Sequence, residues 1–170
     1  PAMILADGML GQMMEPVVFP EKQVTPIDKS GWATTGTQCQ RPHHVTNSLF
    51  LQPDQLEQKI VERFQRYAQV QEKHTRCEEY LTEDAEYVVV AYGATARIAR
   101  SAVTAARQQG IKAGLIRPIT LWPYPSAAIA AAAGRGAKAF LSVEMSMGQM
   151  VDDVRLAGNG KAPVHFFGRT

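Results

Sequence analysis

Four groups of residues in this 170-residue chain have types and spacings that could do chemistry. The first is Gly93-Ala-Thr-Ala-Arg97, where an apolar run meets a helical pattern. Open amides at a strand-to-helix turn attract anions, and Arg97 could assist. The segment lacks both the G-x-G-x-x-G pattern and G-K-[ST], so capping is the plainer reading, with Thr95 as helix N-cap. The second is Glu144-Met-Ser-Met-Gly-Gln-Met150. A carboxylate at a strand's carboxyl end stands where open α/β sheets gather ligands. Glu144 could equally accept backbone amides and rigidify its turn, and that role is favoured, with Met147 and Gln149 as further turn or interface residues. The third is Asp7, directly after the apolar opening run at residues 1–6, which reads as a strand. The fourth is Cys39, His43 and His44. It lacks the second paired half of a structural zinc site, so no metal ligand is assigned. His74 and His165 stand alone in the sequence. No Ser-His-Asp order, nucleophile elbow or catalytic carboxylate pair emerges, and no catalytic residue is named. Asp7, Gly93, Thr95 and Arg97 are the residues nearest to a cofactor-binding role.

The elements that must hold these residues repeat one design. Short apolar runs at 87–92, 112–119, 138–144 and 162–168 alternate with helical patterns bounded by glycine and proline. Runs of this kind fit strands buried on both faces. The expected fold is α/β, a mainly parallel sheet with helices on both faces, over residues 83–170. Residues 51–82 read as a linker helix, regular to about Arg76, opened by Pro53 and Asp54. Leu56, Ile60, Phe64 and Tyr67 make its apolar face. Residues 1–50 are irregular, and a structureless loop of that length inside one compact domain is improbable. This arm is therefore expected to lie against another domain or subunit. Trp32, after Ser30-Gly31, is an interface candidate of the commonest anchor type.

Composition narrows the function classes. The chain is 45% hydrophobic and 20% charged, as an ordinary globular protein is. A formal charge of +2 without a basic run argues against nucleic acid. Two cysteines are too few for a disulfide framework, which suggests a cytoplasmic protein. No apolar run is long enough to cross a bilayer. Both termini read as cut, so a piece of a longer polypeptide is expected.

Three segments together carry a family resemblance: Leu115-Ile-Arg-Pro-Ile-Thr-Leu-Trp-Pro-Tyr-Pro125, Val89-Val-Ala-Tyr-Gly-Ala-Thr95 and Glu144-Met-Ser-Met-Gly-Gln-Met150. They resemble the alpha subunit of 2-oxoacid:ferredoxin oxidoreductases. Leu5-Ala-Asp-Gly-Met-Leu-Gly-Gln-Met-Met-Glu15 is most similar to the 2-ketoisovalerate (3-methyl-2-oxobutanoate) type. The 2-oxoglutarate type and a free-standing nucleotide- or coenzyme A-binding module are the alternatives. The resemblance implies a transketolase C-terminal-like domain at 83–170, preceded at 1–50 by the tail of a pyrimidine-type domain. It implies oxidative decarboxylation of a branched-chain 2-oxoacid with coenzyme A, giving acyl-CoA, carbon dioxide and reduced ferredoxin. Thiamine diphosphate, magnesium and iron–sulfur clusters would belong to the full complex, and none is expected in this chain. Beta, gamma and ferredoxin-like subunits would be its partners, ferredoxin the electron acceptor, and a homodimer is conceivable. The chain alone is expected to be inactive, serving assembly and active-site framing. Arg117, Trp122, Glu144, Met147 and Gln149 would shape turns or contacts. The resemblance also implies asparagine where Ser146 stands.

Overall fold

The computed structural model describes residues 3–6, 8–19, 21 and 27–169. A short helix α1 (Gly8–Gln12) and a long helix α2 (Pro53–His74) precede a five-stranded sheet. The sheet elements follow as β1 (Cys77–Tyr80), β2 (Tyr87–Ala91), α3 (Gly93–Gln108), β3 (Ala113–Pro118), α4 (Ser126–Gly134), β4 (Ala139–Glu144), α5 (Met150–Gly158) and β5 (Val164–Gly168). The strand order is β1-β3-β2-β4-β5. The pairs β2–β3, β2–β4 and β4–β5 are parallel, and β1–β3 is antiparallel.

The strand alternation builds two cores. Val88, Val90, Ile116 and Phe140 meet Ile129 and Ala132 of α4 and Met150 and Val154 of α5 on one face. Ala91 and Leu115 meet Ala96, Ala99 and Val103 of α3 on the other. Burial on both faces explains the near-continuous apolar run of β3. In β4 only the Phe140, Ser142 and Glu144 face is fully buried, and Leu141 on the other face is exposed, contrary to the expectation for that run.

Several expectations change. Residues 77–80 are not helical. The helix closes at His74, where the Thr75 hydroxyl donates back to Gln71 O at 2.6 Å. Cys77-Glu-Glu-Tyr80 then pairs with β3, with Glu78 opposite Arg117. Two glutamates favour helix locally, and the strand ladder overrides them. β5 is an edge strand buried on neither side, with Phe167 half exposed. Thr95 is not an N-cap: α3 begins at Gly93, and no side chain caps it. Gly93 itself holds φ at +59°, a conformation that glycine adopts without steric cost and that turns β2 directly into α3. Helix α4 starts at Ser126, with Pro125 at the cap position. Met3–Ala6 form no strand and are exposed, while Pro1 and Ala2 lie outside the described residues.

None of the residues of α2 is buried. Its apolar stripe exists but stays open, with Phe64 65% exposed. One aromatic contact joins it to the sheet domain: Tyr67 meets Trp122 edge-on, ring centroids 5.2 Å apart. Between them Phe64, Tyr67, Ala68, Gln71 and Trp122 line a groove of about 560 Å³.

Candidate functional site

Because β2, β3 and β4 run parallel, their carboxyl ends share one edge of the sheet. Two polar clusters stand there.

The first surrounds Glu144, the last residue of β4, which is only 2% exposed. Its Oε1 accepts from Ser142 Oγ at 3.0 Å and Val151 N at 2.9 Å. Its Oε2 accepts from Ser146 Oγ, Gln149 N and Met150 N, each at 3.0 Å. Ser142 shares the Glu144 face because strand side chains alternate. The turn at 145–149 then folds the free amides of α5 onto the carboxylate, which satisfies donors no helix can pair internally. Burial pushes the Glu144 carboxyl up, but the hydrogen bonds from Gln149, Met150, Ser142 and Ser146 outweigh it and hold the group below the usual carboxylate range. A carboxylate so held is a clamp for a helix terminus and a poor proton carrier near neutrality. Tyr124 lies close by: its buried hydroxyl has no hydrogen-bond partner, and burial, with the Asp153 and Glu144 charges, raises its pKa. Ser146 fills both roles an asparagine could take, donating to Glu144 and accepting from Gly148 N at 3.3 Å.

The second cluster lies across β1, β3 and α3. Glu78 accepts from Arg100 Nη1 at 2.5 Å through Oε1 and from Arg117 Nη1 at 3.0 Å through Oε2. These guanidiniums, Arg117 first, lower the Glu78 pKa. Arg100 also stacks over Tyr80, 4.3 Å from the ring centre. Arg97 pairs with Glu15 of the N-terminal arm. Among the hydrogen bonds and ion pairs of the described residues, that pair alone ties residues 3–51 to the sheet domain.

The residues singled out in the sequence thus separate. Arg97 and Arg117 enter the second cluster; Glu144 and the Gln149 amide form the first. Trp122 faces Tyr67, Met147 is 81% exposed at the turn, and Trp32 is 58% exposed in the arm. Gly93 opens α3, and Thr95 sits within its first turn. Asp7 lies outside the described residues. Cys39 is exposed, and His44 Nδ1 donates to Ala33 O at 2.8 Å as a loop clasp. Among the described residues no three His, Cys, Asp or Glu gather as a metal site. Sequence reasoning missed Ser142, Glu78 and Glu15. Ser142-Val-Glu144-Met-Ser146 carries a visible period of two, whereas Glu78 and Glu15 meet their arginines only through the fold.

Comparison with known proteins gives a consistent set of relatives. Residues 85–170 match the family model "Pyruvate:ferredoxin oxidoreductase core domain II". The chain is 49% identical over 157 residues to a ketoisovalerate oxidoreductase subunit VorB of Methanothermobacter marburgensis, an alignment covering 92% of this chain and 44% of that protein. It is 41% identical over 106 residues to the 2-oxoglutarate synthase subunit KorA of Methanothermobacter thermautotrophicus, covering 62% of this chain and 26% of that one. Among solved structures, the 2-oxoglutarate:ferredoxin oxidoreductase from Magnetococcus marinus superposes with a TM-score of 0.59 at 22% identity, over 70% of this chain and 21% of that one. That likeness supports the fold. The chain spans less than half the length of the VorB subunits it matches, 44% in each case.

Proposed function

The chain belongs to the pyruvate:ferredoxin oxidoreductase core domain II family, and from that premise we propose that it is the sheet-domain part of an alpha-type subunit of a 2-oxoacid:ferredoxin oxidoreductase. Its role is to frame the active site and hold companion subunits. The reaction of the whole complex is oxidative decarboxylation of a 2-oxoacid with coenzyme A, electrons passing to ferredoxin. A branched-chain 2-oxoacid is the favoured substrate, because the 49% identity to VorB extends over 157 residues. A 2-oxoglutarate substrate is the second reading, supported by the similarity to KorA.

The observation that carries the framing role is the state of Glu144. Glu144, buried at the carboxyl edge of the sheet, has both oxygens engaged by five donors from β4, the following turn and the start of α5. It holds α5 in place and has no lone pair directed at a substrate proton.

The cofactors such a complex implies do not fit the donor set of the described residues. An iron–sulfur cluster takes cysteine thiolates, and Cys39 is exposed in the arm while Cys77 is half-buried in β1. Magnesium with a diphosphate needs grouped oxygen ligands, and among the described residues no three His, Cys, Asp or Glu gather. We assign thiamine diphosphate, magnesium and the clusters to companion subunits of beta, gamma and ferredoxin-like type. The open stripe of α2 and the exposed Trp32 support contact with such a subunit or with a second copy.

Co-expression with companion subunits tests the reading. The chain is expected to be retained by a beta-type subunit that binds thiamine diphosphate, and by itself to reduce no viologen dye with either 3-methyl-2-oxobutanoate or 2-oxoglutarate. Turnover by the pure chain would refute the framing role. A larger kcat/KM of the assembled complex for 2-oxoglutarate would reverse the choice of substrate.

A further inference from the structure

Glu78, Ala96, Arg97, Arg100, Leu115 and Arg117 line a notch of about 300 Å³ between the end of β3 and the first turns of α3. Its three guanidiniums pair with two carboxylates, Glu78 of the lining and Glu15 of the arm, leaving one positive charge unbalanced. Glu78 bridges two of the arginines, one on each carboxylate oxygen. Each guanidinium carries five N–H donors in a fixed fork, and only Nη1 of each is used on a carboxylate. The Arg117 Nε–H is buried without an acceptor. The shared Glu78 carboxylate and the Tyr80 ring under Arg100 bring Arg100 and Arg117 together in the absence of a ligand. Glu15 stands apart from this framework. It belongs to the arm, and both it and Arg97 are more than half exposed, so the pair is readily exchanged.

We propose that this notch binds a phosphoryl group of a small molecule, with Glu15 as the intramolecular carboxylate that occupies Arg97 in its absence. With Glu15 displaced, three arginines face one carboxylate, a net charge of two that matches a phosphate dianion. Forked guanidiniums suit tetrahedral phosphate oxygens through paired hydrogen bonds. The volume lies at the small end of ligand pockets, so a phosphoryl group with a short ester stub fits better than a whole nucleotide. The site goes beyond the framing role and does not depend on which 2-oxoacid the complex uses.

Calorimetry on the full chain with inorganic phosphate and pyrophosphate, and with acetate as the carboxylate control, reads the proposal. Phosphate and pyrophosphate are expected to bind and acetate not. Arg97→Gln is expected to weaken binding about tenfold, the worth of one charge-assisted contact. Glu15→Gln is expected to tighten it about three- to tenfold by freeing Arg97. Arg155→Gln, on α5 and paired with Asp152, is the control for diffuse attraction and should change nothing. Both test positions are exposed, so the variants keep the fold, which circular dichroism verifies. The proposal fails if neither the parent nor Glu15→Gln binds millimolar phosphate, if Arg155→Gln weakens binding as much as Arg97→Gln, or if acetate binds as well as phosphate.

Discussion

Glu144 at the end of β4 accepts the Val151 amide of α5 at 2.9 Å across seven residues of chain. With the Gln149 and Met150 amides and two serine hydroxyls on the same carboxylate, this contact makes a buried acid the anchor of a helix start.

Replacing Glu144 by Gln keeps the shape and removes the charge, and it turns an amide NH₂ toward groups that donate. Buried donors left without an acceptor cost about 1–3 kcal/mol each. Urea unfolding of Glu144→Gln is expected to show a loss of about 2–4 kcal/mol, against about 1 kcal/mol for Ser146→Ala, which removes one hydroxyl. Equal losses for the two variants would show that the carboxylate is not the anchor.

The same group sets an acid limb. Its carboxyl is held below the ordinary value in the folded chain, so the unfolded chain binds the proton more readily. Stability from Glu144 is therefore fully present above the unfolded value, about pH 4.3, and falls away as pH drops through the lower folded one. Melting temperatures from pH 6 downward are expected to decline less steeply in Glu144→Gln than in the parent. Parallel curves would remove Glu144 as the cause. Glu78, Asp84 and Glu86, also lowered, are held by arginine or lysine partners toward solvent and contribute weakly.

Gly114 in β3 has no room for a side chain: a Cβ there would stand 2.6 Å from Leu81 O and 2.9 Å from the Ala85 Cβ. Leu81 is held at φ +53°, and its carbonyl accepts Arg107 Nη2, so the turn after β1 cannot withdraw freely. Gly114→Ala is expected to lose about 1–3 kcal/mol in chemical denaturation. An unchanged midpoint would mean that the turn yields.

Trp122 against Tyr67 holds α2 near the domain. An aromatic pair of this geometry is worth about 0.5–1.5 kcal/mol. In Trp122→Ala, amide exchange across α2 is expected to speed up about 2- to 10-fold, while the melting of the sheet domain hardly moves. Unchanged protection in α2 would show that other contacts hold it.

The strands and their parallel order were legible where chemistry and period agree. Residues 113–118 are buried on both faces, and residues 87–91 and 139–144 are apolar runs between helical patterns that bury one face fully, with Leu141 of the second left exposed on the other. The stretch 77–80 misled because Glu-Glu-Tyr has no apolar period; its strand exists only because β3 offers an edge and Arg117 stands opposite Glu78.

By itself the sequence determined the α/β class, the place of Glu144 at a strand end and the amphipathic stripe of α2, since each follows from local spacing of residue types. Only the tertiary structure decided which charges meet. Glu78 reaches Arg117 across 39 residues and Glu15 reaches Arg97 across 82. Charge pairing acts through space over a few ångströms, and no spacing along the chain encodes that distance until the strands are in register.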